Sequence, residues 1–456
     1  MKLQTIILAA GQGKRMRSSV PKVLHKIGGK ALLAHVHDLA MQLDDNSVNV
    51  IYGHGGDQVR TTLGELKTEW TEQKEQLGTG HAVMQVSKWI DNASTVLILY
   101  GDVPLLKLET VTKLIEYADK GGMGLLTVSL DDPTGYGRIE RNENGDVTSI
   151  VEEKDANLQQ REIREVNTGI LAVNGNRLLG WLNQLTNQNA QGEYYLTDII
   201  ALAVADRVTI ETTQPTDQNE VLGINNRLQL AQLERVYQMR QAQALMESGI
   251  TLLDPSRFDL RGEIVSHGQD VEIDVNVLIE GQVKLGERVK IGPNVIIKDS
   301  HIGDDVEIFA NSVIDKANIG AGSHIGPFAR IRPESTLGEN VHIGNFVEIK
   351  KTTVGNSSKI NHLSYIGDSI IGSNVNVGAG TITCNYDGAN KHLTIIEDGA
   401  FIGSDTQLVA PVKIGRNATI GAGSTITKNA PDGQLTLSRS KQESIPGWQR
   451  PVKKEV

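Results

Sequence analysis

The sequence predicts two domains of different class: an α/β domain with a mostly parallel sheet, then a long helix, then a left-handed parallel β-helix of hexapeptide repeats. Three observations predict this. A branched aliphatic recurs nearly every six residues from Ile273 onward. In the first half, short apolar runs alternate with helical patterns. Between the halves, residues 226–248 are rich in Leu, Gln, Ala, Glu and Arg and hold no Pro or Gly. The expected boundaries are 1–228, a linker helix 229–249, and 250–456.

The repeat register runs through Ile273, Ile279, Leu285, Ile291, Ile297, Ile302, Ile308, Ile314, Ile319, Ile325, Ile331, Leu337, Ile343, Ile349, Val354, Ile360, Ile366, Ile371 and Val377. Of these 18 steps, 14 are six residues long and 4 are five. It resumes at Ile396, Ile402, Leu408, Ile414, Ile420 and Ile426. Neither the helical period nor the strand period gives this spacing. Three hexads make a triangular coil with the aliphatic inside the prism. Glycine often follows it, as in Ile291-Gly292 and Ile343-Gly344, and is expected to permit the tight corner. Residues 383–391 interrupt the register and are expected to form a functional loop on one face.

In the first half, residues 3–10, 47–52 and 96–100 read as buried strands, and 31–43 and 105–118 as helices. Ligands of such a sheet sit at the carboxyl ends of its strands. Two glycine-containing segments, Gly11–Gly13 and Gly101-Asp102, fall at such ends. For the intervening helix, Asn226 is the expected cap, Gln229 its partner three residues on, and Gly249 the terminator. This helix is expected to be a spacer.

Composition excludes several classes. Cys384 is the single cysteine of 456 residues, so no internal disulfide or thiolate-rich metal site can form. With 45 Lys+Arg against 55 Asp+Glu, the net charge of −10 argues against a general nucleic-acid binder and a polybasic membrane anchor. No apolar run is long enough to span a membrane. The expected location is cytoplasmic.

The loop Leu8-Ala9-Ala10-Gly11-Gln12-Gly13-Lys14-Arg15-Met16 follows the first strand. Backbone N–H groups in such a turn hold phosphate oxygens. A dinucleotide fingerprint is excluded because Met16 stands where a third glycine is needed, and no acidic residue ends the second strand at Tyr52-Gly53-His54. A P-loop is excluded because no Gly-Lys-Ser/Thr is present. Lys22 adds a cation shortly after. Asp102, in Tyr100-Gly101-Asp102-Val103-Pro104, is either a turn residue or a ligand for a hard divalent cation such as magnesium.

Taken together, Leu-Ala-Ala-Gly-x-Gly-x-Arg-Met, Pro21-Lys22 and Tyr-Gly-Asp resemble the Rossmann-like sugar-1-phosphate nucleotidyltransferases. With Gln73, the segment Leu77-Gly78-Thr79-Gly80-His81 and the hexapeptide half, essentially all 456 residues resemble a family of bacterial bifunctional enzymes. That family pairs N-acetylglucosamine-1-phosphate uridyltransferase with glucosamine-1-phosphate N-acetyltransferase. Its product, UDP-N-acetylglucosamine, is a precursor of peptidoglycan and lipopolysaccharide. The resemblance implies that Leu8, Ala9, Ala10, Gly11 and Lys22 hold UTP and its phosphates. Gln73, Gly78 and Thr79 would read uracil. Tyr100 and Gly101 would line the centre, with Asp102 on magnesium. Gly137, Glu152 and Asn167 would contact the sugar. Asn225 would be the second magnesium ligand, although its own neighbourhood reads as a helix start. Lys14 stands where relatives commonly carry threonine. The sequence leaves open whether it meets the triphosphate or solvent, so it is not assigned to the site. Lys22, Arg15 and magnesium would neutralise charge during in-line attack on the α-phosphorus.

For the second half, His362 lies two residues after the inward Ile360, with Lys350, Lys351 and Arg332 one and two coils earlier. By itself His362 reads as either a structural or a functional histidine. The resemblance to hexapeptide acyltransferases implies that it is the general base of acetyl transfer, suited by an imidazole pKa of ~6.5. Glu348 is the expected orienting group. Arg332, Lys350, Tyr365 and Asn376 would hold the sugar phosphate. Ala379, Asn385, Tyr386, Ser404, Ala422 and Arg439 would hold acetyl-CoA. The resemblance further implies a homotrimer, with the basic tail (Arg439, Lys441, Arg450, Lys453, Lys454) packing over a neighbouring subunit. Two rivals remain: a single nucleotidyltransferase on a trimerisation scaffold, and a nucleotide-binding regulator without turnover.

Overall fold

The computed structural model describes residues 2–453; Lys454 of the tail lies outside the described residues. By packing, the chain divides into two units, Met1–Gln238 and Met239–Val456.

The first unit is built on a nine-stranded sheet. Its strands are β1 (Leu3–Ala9), β2 (Asn46–Tyr52), β3 (Glu69–Glu72), β4 (Thr95–Tyr100), β5 (Met123–Ser129), β6 (Arg138–Arg141), β7 (Val147–Val151), β8 (Glu165–Asn174) and β9 (Ile210–Thr213). The main path is β9-β5-β8-β4-β1-β2-β3, with β6 and β7 attached through β8. All of β1 is buried, which is why it reads as an unbroken apolar run rather than an alternating one. The pairings of β1 are parallel, whereas β8 runs antiparallel to β4 and β5. Helices α1 (Leu32–Met41), α2 (Thr79–Met84) and α3 (Leu108–Asp119) lie among the connections. The chain moves from β1 outward through β2 and β3, then returns to the other side of β1 as β4. The crevice beyond the carboxyl ends of β1 and β4 is thus the point where strand order reverses, the usual ligand position in such sheets. Leu8 pairs with Tyr100, so both glycine-containing segments emerge side by side there.

In the second unit, all twenty-five aliphatics of the six-residue register are buried to 4% exposure or less. Each pairs in parallel with the one a coil away, as Ile325↔Ile343↔Ile360↔Val377. Burying one such side chain is worth roughly 1.5–3 kcal/mol. A second inward position, two residues earlier, holds small or β-branched residues such as Val341, Val347, Ser358 and Ser364, all buried. Three residues before the aliphatic, the chain adopts a left-handed conformation, as at Asn294, Asn311, Asn340 and Asn374. That residue, not the glycine, makes the corner. The glycine after the aliphatic has a different role. A Cβ on Gly344 would sit 2.0 Å from the Asn361 carbonyl oxygen of the next coil, so glycine lets coils approach at that point.

The interruption is shorter than expected. Thr383 occupies an inward position, buried to 1%, and its hydroxyl accepts the Gly367 N–H at 2.8 Å. The chain leaves the coil only at Asn385 and rejoins it at Thr394–Ile396. The Asp387 carboxylate organises the loop by accepting from the Ala389 and Asn390 N–H groups and from His392 Nε2 at 2.7 Å. These hydrogen bonds hold that carboxyl well below the usual range.

Helix α4 (Arg227–Glu247) starts and stops as expected. The Asn226 side chain accepts the Gln229 N–H at 2.9 Å, and Gly249 takes φ +108°. It is not a bare spacer, however. Leu233 is buried with Met16, Ile27, Leu32, Leu105 and Ile224 in one apolar cluster of the first unit. Farther along, Ala242 joins the core of the second. Among the described residues, no helix is long and apolar enough to cross a membrane.

Met16 ends the turn that follows the glycine loop, so the start of α4 supports that loop. Leu233→Ala should therefore destabilise the first unit by about 2–4 kcal/mol, the usual cost of a large-to-small change in a core. Denaturant unfolding of the full chain checks this. A change under about 0.5 kcal/mol would mean the helix start contributes little there.

Candidate active sites

The crevice at the ends of β1 and β4 opens into a cavity of about 550 Å³, within the usual range for small-ligand sites. Eleven of the fifteen residues expected at the first site line it: Leu8, Ala9, Ala10, Gly11, Lys22, Gln73, Gly78, Thr79, Tyr100, Asp102 and Asn225. The others sit apart from its wall. Gly101 is buried at the strand end, where its N–H donates to the Leu8 carbonyl at 2.9 Å. Asn167 borders a smaller hollow that shares Tyr100. It is joined to Gly137, whose carbonyl accepts the Asn167 N–H at 2.9 Å. Glu152 accepts from the Thr197 hydroxyl at 3.0 Å, and burial pushes its carboxyl up. Burial, with Glu152 and Asp102 nearby, likewise raises the Tyr100 phenol. Arg15 is exposed and does not line the cavity.

The sequence reading missed Gln12, Lys14, Val23, Gln76, Ala82 and Glu193, which also line it. Lys14 was the one weighed and left out; its place immediately after Gly13 was the available signal.

On the cavity wall, Lys22 Nζ donates to the Asp102 carboxylate and, at 3.1 Å, to Asn225 Oδ1. Residues from three distant parts of the chain thus meet at one cationic centre. Asn225 is held there by Gln229, whose Oε1 accepts the Asn225 N–H at 2.8 Å. A carboxylate and an amide oxygen that converge on one cation are a donor set suited to a hard divalent metal. Such a metal keeps several waters and takes its remaining ligands from phosphate. Among the described residues no cluster of three or more His, Cys, Asp or Glu offers a full protein cage. Also on the cavity wall, Gly78 takes φ +107°, and a Cβ there would lie 2.6 Å from the Tyr194 carbonyl. The Gln73 amide nitrogen lies 3.1 Å from the Gly78 carbonyl and 3.1 Å from His81 Nδ1.

In the β-helix, coil stacking gathers the second set. Asn345 pairs with His362, and the register of Val377, Ile402 and Ile420 places Ala379, Ser404 and Ala422 in the same column. Arg439 donates to the Ala422 carbonyl at 2.9 Å and so ends the column. Asn376 is on the strand before it, beside Val377. Tyr386 is on the inserted loop and is exposed.

Glu348 does not orient His362. Its carboxylate is taken by Arg332 at 2.7 Å. Instead His362 Nδ1 lies 3.1 Å from Asn345 Oδ1. This partner was findable, because Asn345 precedes His362 by one coil at the same phase. Next to the column, Lys350 lies 3.7 Å from the Asp368 carboxylate, which also accepts from the Asn385 amide. Lys391, from the inserted loop, joins this group and was also missed. Lys350 beside it holds the Lys391 ammonium below the usual lysine range. Lys351 turns away to Glu334 at 3.6 Å.

Family comparison bears on both units. The MobA-like NTP transferase domain matches residues 5–248. The GMPPB C-terminal domain matches 261–344 and 324–386, and the bacterial transferase hexapeptide (six repeats) matches 393–428. The bifunctional protein GlmU of Methylococcus capsulatus is 64% identical over 453 residues, 99% of this chain and 98% of its own. The GlmU of Marinobacter nauticus is 56% identical over 451 residues, 99% of each chain. This chain belongs to the GlmU family. It is accordingly a bifunctional acetyltransferase and uridyltransferase of UDP-N-acetylglucosamine synthesis. Both rivals fall, since neither a single transferase nor a regulator without turnover fits membership over the whole chain. GlmU nucleotidyl transfer needs a divalent metal.

An Asn345 amide that accepts from His362 Nδ1 leaves Nε2 as the basic nitrogen. Asn345→Asp places a carboxylate there, which favours the imidazolium. The acid limb of the acetyl-transfer pH profile should then move to higher pH, and activity near pH 7 should fall. Asn345→Ala should lower kcat with the limb little moved. A profile unchanged in Asn345→Asp would remove Asn345 as the orienting group.

Proposed function

We propose that the cavity beyond β1 and β4 carries out uridylyl transfer and that the column above His362 carries out acetyl transfer. The observation that carries this reading is the meeting of Lys22, Asp102 and Asn225 in a cavity that Gln73 and Gly78 also line.

In the first reaction, an oxygen of N-acetylglucosamine-1-phosphate attacks the α-phosphorus of UTP in line. The new P–O bond forms as the bridging P–O bond to the β-phosphorus breaks, and pyrophosphate leaves with the electron pair. The glycine loop from Ala10 to Gly13 offers backbone N–H groups to the phosphates. Asp102 and Asn225 would hold magnesium, which would supply charge neutralisation at the reacting phosphate. Lys22 keeps these two oxygens converged and adds its own charge. The Gln73 amide directs its N–H groups at the protein, which leaves its carbonyl oxygen to accept from the N3–H of uracil. Gly137, Glu152 and Asn167, grouped around Tyr100, would meet the sugar.

In the second reaction, His362 Nε2 takes a proton from the amine of glucosamine-1-phosphate as the nitrogen attacks the thioester carbonyl. The C–N bond forms, the C–S bond breaks, and coenzyme A leaves. Lys350 and Lys391, two ammonium groups side by side, favour an anion between them. They would take the sugar phosphate together with Arg332, Tyr365 and Asn376. Acetyl-CoA would lie along Ala379, Ser404 and Ala422 towards Arg439, with Asn385 and Tyr386 from the loop.

We read the assembly as a homotrimer and the location as cytoplasmic. An exposed apolar ladder, Phe328, Phe346 and Leu363, with the two phenyl rings stacked at 5.2 Å, supports self-association. Light scattering of the full chain should give three times the chain mass; a monomer would remove this part of the reading.

Asp102→Ala should abolish UDP-sugar formation while release of coenzyme A persists. His362→Ala should slow acetyl transfer by ~10²–10⁴, the scale of a general base, and leave uridylyl transfer from supplied N-acetylglucosamine-1-phosphate intact. Full uridylyl transfer in the first variant, or acetylation within a few-fold of wild type in the second, would contradict the assignment.

A further inference from the structure

We propose that Asp368 is a positioning residue of the acetyl-transfer site. It is the resident counter-ion that keeps Lys350 and Lys391 together before the sugar phosphate arrives, and the anchor of the inserted loop at Asn385. The inference rests on the reading that gives the two lysines to the phosphate and Asn385 to acetyl-CoA.

Asp368 stands at a corner of the prism, with φ +47°. A short polar side chain tolerates that left-handed backbone. Coil pairing puts Lys351 at the same corner one coil earlier, and the end of the inserted loop there one coil later. The carboxylate is therefore at the neck of the loop. It accepts from the Asn385 side-chain amide and lies 3.7 Å from Lys350 Nζ. These groups are largely out of water: the Asp368 and Lys350 side chains are 12% and 18% exposed, and Asn385 is 7% exposed. Asn385 also closes the loop, since its carbonyl accepts the His392 N–H at 2.8 Å. Tyr365 joins the same cluster over Gly367. A Cβ on that glycine would collide with the Tyr365 hydroxyl and lie 3.0 Å from the Asn385 amide nitrogen.

Two ammonium groups side by side repel one another, more so where water is scarce. Contact with Lys350 holds the Lys391 ammonium below the usual lysine range, and the Asp368 charge opposes that shift. Without a counter-ion the two flexible stems would swing apart, and an incoming phosphate would have to gather them. Asp368 removes part of that cost in advance. It acts on Lys350 through charge and on Asn385 through a hydrogen bond, so the two effects can be removed separately. Asp368→Asn keeps an oxygen for the Asn385 amide and loses the charge. Asp368→Ala loses both.

Wild type, Asp368→Asn, Asp368→Ala and Lys350→Ala are assayed for coenzyme A release. Glucosamine-1-phosphate and acetyl-CoA are each varied while the other is saturating. In Asp368→Asn, KM for glucosamine-1-phosphate should rise about fivefold, the upper range for an ion pair near the surface. KM for acetyl-CoA should stay within about twofold, and the acid limb of the pH profile should not move. In Asp368→Ala, KM for acetyl-CoA should rise as well, because the loop loses its anchor. A fall or no change in KM for glucosamine-1-phosphate in Asp368→Asn would mean that the carboxylate only competes with phosphate for the lysines, and would overturn the proposal. An equal rise for both substrates in that variant would also overturn it, since it marks a general loss of structure. An unchanged KM in Lys350→Ala would instead overturn the reading that gives the lysines to the phosphate, and the proposal with it.

Discussion

In-register stacking of one inward aliphatic above another is the constraint on which the second half of the chain depends. A coil of this β-helix has almost no stability alone; it is held by the coil on each side. Each aliphatic must therefore fall in line with its neighbours to within a fraction of a residue. Where the coil shortens to a five-residue side, as between Ile297 and Ile302, the next coil shortens at the same side, between Ile314 and Ile319, and the inward position is kept. The same discipline aligns side chains that never enter the core. His362 stands above Asn345 because Ile360 stands above Ile343. The column that holds His362 is thus a by-product of core packing and inherits its rigidity.

The first site is assembled on another principle. Its charged groups come from residues 22, 102 and 225, and no repeat brings them together. The strand order does so, by returning β4 to the side of β1. The capped start of α4 then delivers Asn225 from the far end of the domain. Such an arrangement has more independent supports. Gln229 fixes the backbone of Asn225, Lys22 fixes its side chain, and Leu233 holds the helix to the cluster that also contains Met16. A change in any of these displaces Asn225 or the glycine loop from a distance.

The inward aliphatics were legible in the sequence because one large apolar side chain per hexad leaves a strong period. The companion position was not, since Val, Ala, Ser and Thr all satisfy it. A small hydroxyl inside the prism is tolerated when it bonds to the backbone of a neighbouring coil, as Thr383 does with Gly367. Thr383 stands in the place of the aliphatic itself, paired with Leu408, and this hid the true start of the inserted loop. Most of the first site was legible because its residues cluster in short motifs at strand ends. Glu193 escaped because lining a cavity leaves no trace in local sequence, whereas Lys14 was visible beside Gly13 but the sequence left its direction open. Glu348 was the expected partner of His362 because a carboxylate is the common orienting group, but Arg332 competes for it more strongly than a neutral imidazole can. The glycines were placed correctly and explained incompletely: what they relieve is crowding between coils, not backbone strain at a corner.

The inserted loop departs after Cys384 and the strand resumes at Thr394, with the aliphatic register intact on both sides. The coils above and below are bonded to one another through their other edges and do not depend on the loop length. For a flexible insert, closing the ends costs only about 0.6 kcal/mol more for each doubling of length. The position that supplies Asn385, Tyr386 and Lys391 is therefore the place where this solenoid can be lengthened, shortened or exchanged at little thermodynamic penalty. Side chains at that corner can be exchanged while the prism that carries His362 stays as it is.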